Sequence, residues 1–198
     1  NNYLSRMVLN IVRILVKLFF ASDLHGSLPA TQRMIDAFTA SKADHLILLG
    51  DLINFGPRNP IPEGHDPIAV AELLNQYAES IIAVRGNCDS EVDQMLLSFP
   101  IMADYNIVLL PTGQKLFLTH GHIYNADKHP LLKKGDIIAH GHTHITVAEW
   151  KREQIIFNPG STTFPRDEGG KPSYGLLDDG RLSVFDFDGN ELNSIVLK

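Results

Sequence analysis

Seven side chains able to bind a metal ion fall into five short groups: Asp23-x-His25, Gly50-Asp51, Gly86-Asn87, His120 and His142-x-His144. They supply carboxylate, imidazole and amide oxygen without thiolate. That mixture suits Mn²⁺, Fe²⁺ or Zn²⁺, while the number of imidazoles disfavours Mg²⁺ and Ca²⁺. Seven ligands exceed what one ion needs. A carboxylate can bridge two ions, and a pair about 3.5–4 Å apart can activate a shared water and neutralise phosphoryl oxygens during in-line displacement. The chemistry expected is hydrolysis of a phosphate ester without a covalent enzyme intermediate. Any one of these residues is as well explained by a turn cap or a local hydrogen bond; the joint placement carries the metal reading.

Each group follows an apolar run, which is how residues distant in sequence can meet. Runs at Lys17–Ser22, His45–Leu49, Ile81–Val84, Ile107–Leu110, Lys115–Thr119 and Asp136–Ala139 read as buried strands. Between the first three lie amphipathic stretches, Pro29–Ser41 and Pro67–Glu79, each with proline in the first helical turn. This β-α-β-α-β order favours parallel neighbours, whose carboxyl ends gather loops into one crevice. Later, shorter alternating runs at Thr146–Trp150, Gln154–Phe157, Tyr174–Leu177, Leu182–Phe187 and Ser194–Leu197 read as antiparallel hairpins. The fold class expected is α/β (α+β), an α-β-β-α sandwich of two mixed sheets flanked by helices. The phenylalanines Phe19, Phe20, Phe117, Phe157, Phe185 and Phe187 fit its core.

A chain of 198 residues is the size of one domain, and 44% hydrophobic with 20% charged residues is ordinary for a globular protein. The net charge of −6 disfavours a broad nucleic-acid surface, so local positive charge for a phosphate ester must come chiefly from metal ions. Cys88 is the single cysteine, which rules out an internal disulfide and fits a reducing, cytoplasmic setting. Met7–Ala21 is apolar, but Arg13 and Lys17 interrupt it, and cleavage there would remove the strand before Asp23; neither a signal peptide nor a membrane span is expected. Residues 1 to 15 are read as an extension outside the fold, and 16 to 198 as one domain.

The five groups, in this order, resemble the calcineurin-like metallophosphoesterase superfamily, and the similarity spans roughly residues 16 to 145. The resemblance implies the metallophosphoesterase fold, a preference for manganese and activity on phosphodiesters. It assigns Asp23, His25 and His144 to one ion and Asn87, His120 and His142 to the other, with Asp51 bridging. Many members carry Gly-Asn-His-Glu where this chain has Gly86-Asn87-Cys88-Asp89, and the histidine there contacts substrate phosphate and is a candidate acid for the leaving group. A thiol is the weaker donor, so Cys88 points to a narrow diesterase that favours activated leaving groups, with His122 as an alternative donor.

Asn54 and Arg58, in the long loop 54–66 after Asp51, are candidate substrate contacts. Arg85, His45, His65, His129 and His140 are read as surface or packing residues, and Asn158–Ser161 as a tight turn. A phosphomonoesterase or nucleotidase on the same centre is the alternative enzyme. The same fold without chemistry would be a protein-binding scaffold, a reading that predicts eroded ligand positions. The partners expected are a small-molecule phosphodiester and a second copy of the chain, through Met95–Leu97 or the later hairpins.

Overall fold

A computed structural model of the chain describes residues 16–197; the expected N-terminal extension lies outside them. The first strand, β1 (Leu18–Ala21), is followed by α1 (Leu28–Ser41), β2 (His45–Leu48), α2 (Pro67–Asn75), a single 3₁₀ turn, β3 (Ile81–Ala83) and α3 (Glu91–Leu96). Eight strands complete the chain: β4 (Tyr105–Leu109), β5 (Lys115–Thr119), β6 (Ile137–Ala139), β7 (Thr146–Lys151), β8 (Gln154–Pro159), β9 (Ser173–Asp178), β10 (Arg181–Asp186) and β11 (Glu191–Val196).

They form two mixed sheets, one of order β11-β10-β9-β1-β2-β3 and one of order β4-β5-β6-β8-β7. In the first, β1, β2 and β3 are parallel; in the second, β5, β6 and β8 are. The later hairpins do not form a sheet of their own. Antiparallel β9 pairs with β1 and carries β10 and β11 with it.

Period-two alternation separates the cores. In β1, Leu18 and Phe20 point between the sheets, joining Ile47, Leu116, Leu118, Ile155 and Phe157, while Phe19 and Ala21 point outward onto Met34, Ile35, Phe38, Val70 and Leu74 of α1 and α2. The outer faces are covered unequally: helices pack on the six-stranded sheet, whereas Phe117, Ile138 and Ile156 of the other sheet lie under Tyr124, Ala126 and Leu132 of an irregular segment. Ser27 caps α1 by accepting from the Ala30 backbone, Asp66 caps α2 at Ala69, and Ser90 with Asp93 forms a capping box on α3. No helix of the described residues is long and apolar enough to cross a membrane.

Candidate metal centre

The parallel strands end on one side, and their loops are stitched together beyond the last ladder bonds. Asp23 N donates to Gly50 O at 3.1 Å and His25 N to Asp51 O at 2.9 Å, joining the loops after β1 and β2. Across the sandwich, Gly141 N donates to His120 O at 2.8 Å, joining those after β5 and β6. All seven expected ligands are thereby brought together.

Three histidines have their ring orientation fixed in the same manner. His25 Nδ1 faces Asn54 O at 3.1 Å, His120 Nδ1 faces Leu49 O at 2.7 Å and His144 Nδ1 faces Phe164 O at 2.7 Å. A carbonyl only accepts, so each Nδ1 carries the proton and each Nε2 is left to face the centre. There the three Nε2 atoms stand 3.7, 3.9 and 3.1 Å from Asp23 Oδ1, in the order His25, His120, His144. This carboxylate oxygen is fully buried and has no aligned hydrogen bond among the described residues. Its partner Oδ2 accepts from Ser22 Oγ at 2.6 Å and from His142 N at 3.0 Å. A buried carboxylate oxygen without an aligned donor, facing three imidazole Nε2 atoms, is the environment a cation completes.

Asp51 occupies the middle. Its Oδ1 accepts from Cys88 N at 2.8 Å, and Oδ2 lies 3.5 Å from His120 Nε2 and 4.0 Å from His25 Nε2. Asn87 Oδ1 and His142 Nδ1 approach His120 Nε2 at 3.2 and 3.3 Å. Ligand atoms of Asp23, His25 and His144 lie within 4.8 Å of one another, and so do those of Asp23, Asp51 and His120. The two groups share Asp23, whose carboxylate therefore faces both sides of the cluster.

The electrostatics are those of two buried carboxylates set among imidazoles. Burial opposes the charge on Asp23 and Asp51, but the imidazoles around them, His120 foremost, hold both below the usual carboxylate range. Burial works against a charged His120 too, but Asp23 and then Asp51 outweigh it and raise its pKa to about 9. His142 is lowered to about 4, first by burial and then by His120, and burial likewise lowers His25. His120 therefore holds the proton that a metal ion would displace.

Cys88 is half-buried, its Sγ accepts from Asn87 Nδ2 at 3.2 Å, and a Cβ on Gly56 would stand 2.7 Å from the sulfur. Burial and then the Asp51 charge push its thiol far up, so it is protonated and not a nucleophile. His122 sits beside the cluster, its ring 5.3 Å from that of His120, with a buried Nδ1 that has no partner among the described residues and a pKa lowered by burial and by His120. Arg58 lines a cleft of about 140 Å³ together with Asp51, Asn59, Asn87, His142, His144 and Arg166. Asn54 differs from expectation. Its side chain accepts from Gly56 N at 3.0 Å in a local turn, and its contribution to the site is the carbonyl that orients His25. Arg85 is occupied by Asp104 at 2.7 Å.

Several residues that serve the site have no spacing to announce them. Asp89 is buried and accepts three backbone N–H groups, from Asp51 at 2.8 Å, Leu52 at 2.9 Å and Gly86 at 2.7 Å, so one carboxylate clamps two ligand loops. Burial and then repulsion from Asp51 raise its pKa to about 6. The Asn158–Ser161 turn does more than close a strand. Asn158 donates to Gly141 O and Thr143 Oγ1, both at 3.0 Å, and Ser161 Oγ donates to Asp23 O at 3.0 Å. Five of the eight non-glycine residues with positive φ among the described residues are ligands: Asp23, His25, Asp51, His142 and His144. Such strain concentrates where surrounding bonds over-determine the backbone.

Residues 16–179 match the family model described as the calcineurin-like phosphoesterase superfamily domain. The chain is 56% identical over 171 residues to the phosphodiesterase YfcE of Escherichia coli K12, covering 86% of this chain and 91% of that protein. The solved structure of that E. coli phosphoesterase superposes with a TM-score of 0.89 at 51% identity, covering 92% of this chain and 100% of that one. A solved Vps29 from Entamoeba histolytica, complexed with zinc, has a TM-score of 0.59 at 18% identity over 92% of this chain and 99% of that one, and shares the fold alone.

Proposed function

The chain belongs to the calcineurin-like phosphoesterase superfamily, and from that membership we propose that it is a divalent-metal phosphodiesterase acting on a small organic diester. The observation that carries this is the buried Asp23 Oδ1, without an aligned donor and facing three imidazole nitrogens. A filled set of seven ligands also speaks against a scaffold that has lost its chemistry.

We read Asp23, His25 and His144 as the ligands of one ion and Asn87, His120 and His142 as those of the other, with Asp51 between them and Mn²⁺ as the expected metal. Bound there, a metal pair supplies a water of lowered pKa as nucleophile and neutralises charge on the phosphoryl oxygens. The protein does the rest. Backbone carbonyls at Asn54, Leu49 and Phe164 hold three imidazoles with Nε2 inward. Asp89 fixes the peptide of Asp51, and Ser22 fixes the carboxylate of Asp23. Rigid placement of this kind removes reorganisation from the reaction coordinate.

The raised thiol pKa of Cys88 makes it a poor proton donor to a departing alkoxide, so stabilised leaving groups such as aryloxides are favoured. His122, half-buried with a free ring nitrogen, is the alternative donor. The partners implied are the diester and a second copy of the chain; of the expected Met95–Leu97 surface Met95 is exposed, whereas Leu97 is buried in the core against the helices. Metal-loaded protein should hydrolyse bis(4-nitrophenyl) phosphate far better than 4-nitrophenyl phosphate, and Asp51→Asn should lose metal occupancy and turnover together. A preference for the monoester would favour the nucleotidase reading, and full activity in Asp51→Asn would overturn the dinuclear one.

A further inference from the structure

The cleft over the cluster contains more positive charge than a simple diester needs. Beyond four of the ligands it is lined by Arg58, Asn59 and Arg166. Arg58 and Arg166 enter no ion pair among the described residues, whereas Arg85 and Arg181 are paired with Asp104 and Glu191. The acid in the cleft, Asp51, is committed to the cluster. In a chain of net charge −6, two unpaired guanidinium groups beside one cavity call for an anion.

Arg166 is also held in place. Arg166 N donates to His144 O at 2.9 Å, and its Nη2 donates to Asn59 Oδ1 at 3.2 Å. Asn59 in turn donates through Nδ2 to Phe55 O at 2.8 Å. Asn59 thus ties the loop that carries Arg58 to the loop that carries Arg166, and the Arg166 backbone itself bonds the peptide of the ligand His144. Guanidinium groups are suited to carboxylate and phosphate because their donors match two oxygens at once.

Charge and volume then restrict the substrate. Two divalent ions set against Asp23, Asp51 and a hydroxide would already balance the single negative charge of a diester, so the arginines are surplus to the scissile group. The cleft of about 140 Å³ brings the cluster and both guanidinium groups to one small volume, so an anion carried a few atoms from the phosphoryl group would lie beside the arginines. We propose that Arg58 and Arg166 form an anion subsite, and that the physiological substrate is a diester whose short alcohol arm carries a second acidic group, a carboxylate or a phosphate. The proposal rests on the phosphodiesterase reading and deepens it.

Calorimetric binding to the Mn²⁺-loaded protein tests the subsite without turnover. 2-Carboxyethylphosphonate and ethane-1,2-diphosphonate each carry a second anion, and propylphosphonate carries none. A second charge-assisted contact predicts roughly tenfold to a hundredfold tighter binding of a diacid than of propylphosphonate. The Arg58→Ala, Arg166→Ala double variant should bring that ratio close to one, and Arg166→Lys should keep part of it. Whichever diacid shows the larger ratio identifies the acidic group. A ratio near one in the parent protein, or the same ratio in the double variant, overturns the proposal. Turnover of 4-nitrophenyl methyl phosphate by the parent protein tests the underlying reading separately: hydrolysis without any diacid preference would defeat the subsite alone, and no hydrolysis with Mn²⁺, Fe²⁺ or Zn²⁺ would defeat the diesterase reading.

Discussion

Raising the pH on the metal-free protein should cost stability through His120. Its pKa is raised from the ordinary 6.5 to about 9 because Asp23 and Asp51 outweigh the burial that would keep it neutral. A group with a raised folded-state pKa contributes stability that is complete below its unfolded pKa and is lost as pH rises through the folded one. The window is therefore about pH 6.5 to 9. The loss over it is about 3 kcal/mol, from about 1.4 kcal/mol per pH unit. Neighbouring groups act elsewhere: His25 and His142 are lowered and act below pH 6.5, Asp23 and Asp51 remain ionised, and Cys88 is pushed beyond the window. With a urea m-value of about 2–3 kcal/mol/M, the unfolding midpoint in EDTA should fall by roughly 1–1.5 M between pH 6.5 and 9. Saturating Mn²⁺ should abolish the fall, because a ligating imidazole has given up its proton, and binding at pH 7.5 should release a proton measurable by calorimetry in two buffers. A flat midpoint in EDTA, or the same fall in His120→Gln, would refute the reasoning.

Other expectations concern the supports of the cluster. Asp89→Ala leaves three buried N–H groups without an acceptor and should cost about 3 kcal/mol or more in urea unfolding. Asp89→Asn, which keeps one acceptor oxygen and sheds the buried charge, should cost less. Gly141→Ala places a Cβ against the Ser22 hydroxyl and 2.7 Å from Asp23 Oδ2, so it should lower the melting point by an overpacking penalty of about 1–3 kcal/mol and weaken Mn²⁺ binding in calorimetry. Cys88→His should extend turnover to diesters with poorer leaving groups, read from the slope of log kcat against leaving-group pKa; an unchanged slope would discount the thiol as the reason for selectivity.

Most elements are legible in the sequence because burial imposes period. β1, β2, β5 and β6 are short apolar runs, and their buried residues Leu18–Ala21, Leu46–Leu48, Leu116–Leu118 and Ile137–Ala139 explain why. α3 is not legible, since it is six residues long and turns Val92 and Met95 to solvent, leaving no apolar stripe. The place of β9 to β11 is hidden for another reason: alternation shows that they are strands, but their partner β1 lies at the other end of the chain. The ligand types were visible because metal binding restricts residue identity. Asp89, Asn158, Ser161 and Arg166 were not, because side-chain bonds to backbone carbonyls and amides, or to a side chain on another loop, follow no spacing rule.

The two sheets contribute in parallel, and this explains why a mixed topology suits the site. Each holds three adjacent parallel strands, β1-β2-β3 in one and β5-β6-β8 in the other. Five of their six carboxyl ends deliver ligands, and the sixth, after β8, delivers the Asn158–Ser161 turn that bonds the backbones of Gly141 and Asp23, one on each sheet. The antiparallel strands flank these trios: β9, β10 and β11 extend the first sheet beyond β1, and β4 and β7 form the two edges of the second. The ligands must nonetheless turn back sharply from strands that point past one another, and five of them do so with positive φ. Bonds from Asp89, Ser22 and Ser161 to these turns offset that strain, so removing a support should release the ligands before it unfolds either sheet.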